Sequence, residues 1–141
     1  MTALESMIRV HGWILEEKRR SLAEIQAFAD RLKTDLAALD RNVEAERAAA
    51  DRSGEGSLAY PAFVAAALER RRRLTETIGK LELQIDAARD GVAEAFKELK
   101  AYEMAHESQL RREAAGRDRA ERIAQDELGV SLYRRNQASG D

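Results

Sequence analysis

Alternate steps of four and three residues from Leu4 land on Ile8, His11, Leu15, Lys18, Leu22, Ile25, Ala29, Leu32, Leu36, Leu39 and Val43, and ten of these twelve positions are apolar. A hydrophobic repeat of 3.5 residues marks the seam along which one helix packs on another. The pattern predicts a first helix over about residues 3–52, about 75 Å long at 1.5 Å per residue. A second unbroken alternation runs through Val64, Ala67, Arg71, Leu74, Ile78, Leu81, Ile85, Ala88, Val92, Ala95, Leu99, Tyr102 and His106. Between the seams lies RSGEGSLAYP, where Gly54 and Gly56 can end one helix and turn the chain and Pro61 suits the first turn of the next. So short a connection makes the neighbours antiparallel.

The expected fold is all-α: one long two-helix antiparallel coiled-coil hairpin over 1–141, with a tip at about 53–60 and a second helix over about 61–128. That helix outruns its partner by about 20 residues as a C-terminal helical overhang. In the overhang only Leu110, Ile123 and Leu128 are large and apolar; Gly129 is expected to stop the helix, leaving 129–141 as a frayed tail. Two registers keep both seams in contact. One stacks Ala29 on Leu81 and Leu22 on Ala88, alternating large with small. The other opposes Glu46 to Arg71 and His11 to His106, and sets Ala29 on Ala88 with a cavity between them.

Composition agrees with long, wetted helices: 35% of residues are charged, 5% are aromatic, and there is one proline. With no cysteine there is no disulfide or thiolate site, and the default compartment is the cytoplasm. Apolar runs are too short for a signal region or a spanning helix, so direct membrane insertion is not expected. Charge balances locally as well as globally. Lys/Arg against Asp/Glu number nine to ten in 1–52, eight to nine in 53–106 and seven to seven after that, and the run Arg70–Arg73 is flanked by Glu69 and Glu76. Nucleic acid, which needs a sustained cationic face, is an unsuitable partner.

Catalysis needs groups fixed in a water-excluding pocket, which a two-helix hairpin lacks. The sequence has no Walker loop, no HExxH and no nucleophile with a base at hand, so no enzyme, cofactor or metal is expected. His11 and His106 read as polar seam residues.

What remains is surface. With Leu15 at heptad position a, Trp13 falls at f, opposite the seam, where the hairpin cannot bury it. Isolated exposed apolar residues are common, yet tryptophan is the type most enriched at binding hot spots and this is the chain's only one. Lys18 occupies seam position d and is expected to extend towards Glu94 or Glu98. Tyr60 and Phe63, with Leu58, either cap the seam or offer a contact at the tip. Phe96 at e and Phe28 at g form the seam's edges.

Glu16-Glu17-Lys18-Arg19-Arg20, Ala59-Tyr60-Pro61 and Glu94-Ala95-Phe96-Lys97-Glu98-Leu99-Lys100 resemble the flagellar export protein family FliJ, particularly its alphaproteobacterial forms. Gln125-Asp126-Glu127-Leu128 is similar to the family's usual ending, and the resemblance spans 4 to about 128. It implies a cytoplasmic component of the type III export machine, peripheral to the inner membrane and similar to the central stalk of rotary ATPases. The family's partners are the flagellar export ATPase, whose ring receives the end holding both helix termini, and the membrane export gate, associated with surface nearer the tip. Export chaperones are further partners. On that basis Trp13, Arg19, Arg20 and Phe96 fall at the ATPase-facing end, Tyr60 and Phe63 at the gate-facing end, Lys18 is a further partner-binding residue, and the chain is a monomer outside the complex. The rival expectation is a structural or adaptor coiled coil that self-associates or binds another helical partner. The outer face of the first helix has only Trp13, with Ile14 and Phe28 at the g edge, to support it.

Overall fold

A computed structural model of the chain describes residues 1–53 and 58–140. Two helices account for nearly all of them: α1, Ala3–Arg52, and α2, Tyr60–Ser139, packed on one another as an all-α helical hairpin. Gly54 and Gly56 lie outside the described residues. Helix α1 starts with a reciprocal capping box in which Glu5 N donates to Thr2 Oγ1 and Thr2 N donates to Glu5 Oε2, both at 3.2 Å. Two N–H groups that the first turn leaves without carbonyl partners are thereby satisfied. Pro61 falls in the first turn of α2, where its missing N–H costs nothing.

The chain forms two compact units. In the unit Gly12–Phe96 the buried residues are Leu15, Ala29, Ala67, Ile78, Leu81, Ile85 and Ala95. Every one lies on a seam that the 3.5-residue repeat marks. Ala29, Leu81 and Ile85 form the central cluster, with Leu22, Ile25 and Leu32 packed around it. Ion pairs from Lys33 to Glu82 (3.3 Å) and from Arg71 to Asp40 (3.0 Å) join the helices beside this seam. As the α1 partner advances from Lys33 to Asp40 the α2 partner moves back from Glu82 to Arg71, the antiparallel arrangement.

The other unit joins Met1–His11 to Lys97–Asp141. Leu4, Ile8 and His11 are half-buried, as are Leu99, Tyr102 and His106. From residue 115 on, every described residue is exposed, as an overhang without a second helix must be. The expectation that Gly129 ends the second helix is not met, because α2 continues to Ser139. One glycine inside a helix costs only about 1 kcal/mol relative to alanine. No proline follows it, and Gln137 Nε2 donates to Tyr133 at 3.0 Å one turn back. The overhang therefore also carries Val130, Leu132 and Tyr133, all about half exposed or more.

Candidate functional site

Near residue 16, α1 turns a charged face to water. Arg19 Nη1 donates to Glu16 at 2.9 Å and Arg20 Nη1 to Glu17 at 3.3 Å, each within one turn of its own helix. Such i,i+3 pairs hold both guanidiniums along α1 and leave them accessible, since exposed pairs bind weakly. Trp13 is 65% exposed, as its position opposite the seam dictates, and Phe96 at the seam's edge is 43% exposed.

Lys18 does not make the expected contact with Glu94 or Glu98. Among the described residues it is in no ion pair, and its Nζ lies 3.7 Å from where a Cβ on Gly91 would be. The missing side chain of Gly91 leaves a notch along α2, and the lysine stem takes that shorter route. Glu98 faces His11 instead, with Oε2 3.5 Å from Nδ1.

The run Arg70–Arg73 is largely compensated by carboxylates on both helices. Arg71 reaches Asp40, while Arg72 donates to Glu69 at 2.8 Å and to Glu76 at 3.2 Å. The Arg72 hydrogen bond, then its charge, holds the Glu69 carboxyl below the usual glutamate range. Arg31 lies over the ring of Phe28 at 5.6 Å, a cation–π contact that periodicity alone does not reveal.

At the tip end, Tyr60 is half-buried and Phe63 is 37% exposed; together they line a shallow groove with Ala49, Ala50, Ser53 and Ala59. Leu58 is fully exposed and so does not cap the seam. Tyr60 and Phe63 are thus brought together, and they lie far along both helices from Trp13, Arg19, Arg20 and Phe96. The histidines do not face one another: His11 stacks on Tyr102 with ring centroids 4.6 Å apart, and His106 Nε2 lies 3.5 Å from Glu5 Oε1. Neither pairing was read from the sequence, although the Thr2-x-x-Glu5 spacing signals the cap that fixes Glu5. Among the described residues no group of three His, Asp or Glu could hold a metal ion, and no helix is long and apolar enough to cross a membrane.

The helical hairpin thus offers open grooves and exposed aromatic rings on its surface. The model of the family described as flagellar FliJ protein matches residues 1–138. The chain belongs to the FliJ family and is thereby a component of the flagellar protein export apparatus. No curated protein and no solved structure is similar enough to count as a match.

Proposed function

We propose that the chain is a stalk or adaptor of flagellar type III export, joining the export ATPase ring to the membrane export gate. Family membership over residues 1–138 supports the setting, and the exposure of the lone tryptophan carries the assignment of a surface. Trp13, Arg19, Arg20 and Phe96, with Lys18 beside them, form the ATPase-facing surface. An exposed indole flanked by guanidiniums held along one helix is the composition most enriched at interface hot spots. Tyr60 and Phe63 serve the gate-facing end, and export chaperones bind the same chain. ATP is hydrolysed by the partner, while this chain works in the cytoplasm, peripheral to the inner membrane, as a monomer before it docks.

The test is co-purification with the export ATPase of the same genome, wild type against Trp13→Ala. Retention by wild type and loss in the variant supports the reading. If neither is retained while both are helical, a structural or adaptor coiled coil replaces it. Separately, Tyr60→Ala should impair export while ATPase binding stays normal, and unimpaired export removes Tyr60 from the gate surface.

A further inference from the structure

We propose that the first eleven residues form a latch that opens and closes on α2 as one cooperative step, without unfolding the rest of the hairpin. Among the described residues, all seven buried apolar side chains lie in the unit Gly12–Phe96 and none in the unit that contains Met1–His11. The segment is held by half-buried Leu4 and Ile8 and by two polar contacts from α1 to α2. His11 stacks on Tyr102, and its Nδ1, 3.5 Å from Glu98, is buried without a hydrogen bond. His106 lies 3.5 Å from Glu5. Contacts of this length are weaker than close charge-assisted bonds, and an unsatisfied buried nitrogen penalises the closed state. Segments with few buried apolar contacts open at low free energy.

In the open state the segment loses its helix, because so short a stretch is marginal in water without packing, and its amides then exchange together. Glu5 uses one carboxylate oxygen for His106 and the other for the capping box with Thr2, so the cap of α1 and the contact with α2 share one carboxylate. Gly12, the poorest helix former of this stretch, follows directly after the latch. Opening uncovers Leu99 and Tyr102 on α2. None of this depends on which partner the hairpin binds.

Amide hydrogen exchange of the full chain at increasing sub-denaturing urea tests the latch. Amides 7–11 should share one opening rate, at least ten-fold faster than amides 25–36, with little urea dependence. The double variant His11→Leu/His106→Leu, which places apolar groups at both seam positions, should slow amides 7–11 ten-fold or more and leave 25–36 unchanged. Tyr102→Ala should speed 7–11 alone. A residue-by-residue gradient from 7 to 11, which is simple fraying, overturns the proposal. So does exchange of 7–11 at the rate and urea dependence of 25–36, or an unchanged rate in the leucine variant.

Discussion

Asp40 Oδ1 accepts a 3.0 Å hydrogen bond from Arg71 Nε across the hairpin, with both side chains about half exposed. Arg71 stands at a seam position where an apolar residue would normally sit, so its charge is accommodated by leaning out to Asp40. Water screens a pair at this depth. A double-mutant cycle of Asp40→Ala and Arg71→Ala, read by urea denaturation, should give a coupling below about 1 kcal/mol. A value of about 3 kcal/mol or more would mean the pair is desolvated in solution.

The packing of Ala29 against Leu81 and Ile85 supports a sharper expectation, because Ala29 is 1% exposed and has no room beside it. Leu81→Ala should lower stability by about 2–5 kcal/mol through lost burial and a cavity. Ala29→Leu should cost about 1–3 kcal/mol by overpacking. The two combined restore the total volume and should cost less than the sum of the singles, as neighbours in one cluster do. Strict additivity in chemical denaturation would show that they do not share a site.

The glycines of α2 offer the opposite sign. At Gly79 a Cβ would meet nothing within 4 Å, and at Gly91 only the flexible end of Lys18 at 3.7 Å, an ordinary contact. Gly79→Ala and Gly91→Ala should therefore each raise stability, by up to about 1 kcal/mol. Thermal melts followed by circular dichroism check this; a loss at Gly91 would show that the notch under Lys18 is needed.

The apolar seam was the most legible part of the sequence, because period 3.5 depends only on which side chains avoid water. Among the described residues all seven buried ones stand at positions it marks, and of the first seam only Lys18 is exposed. Periodicity fixes a face, however, and leaves the axial offset between two helices open. Both candidate registers kept apolar groups in contact, and what separates them is volume: Ala29 beside Leu81 and Ile85 fills the interface that Ala29 on Ala88 would leave empty. Polar contacts were illegible for the same reason. Long side chains reach several positions, so Lys18 can settle over Gly91 and His106 can find Glu5 with no change in hydrophobic pattern. Gly129 misled because a glycine stops a helix only where the following residues favour leaving it, and here they do not. Of the proposed partner surface, the exposure of Trp13 was legible from its heptad position, whereas the fixing of Arg19 and Arg20 by Glu16 and Glu17 needed the structure.

Trp13 provides the last expectation, and it can be measured before any partner is in hand. At 65% exposure and opposite the seam, it contributes little to the hairpin's own stability. Trp13→Ala should leave helicity intact and shift unfolding free energy by no more than about 0.5 kcal/mol, the usual range for surface substitutions. As the chain's only tryptophan it is also a site-specific reporter. In the isolated protein its fluorescence should resemble a water-exposed indole and be readily quenched by acrylamide, and addition of the export ATPase should shift emission to the blue and protect against the quencher. Protection already present in the free protein would mean that the indole is covered in solution, by a second copy or by the chain itself. Protection that grows with protein concentration would assign the face opposite the seam to self-association.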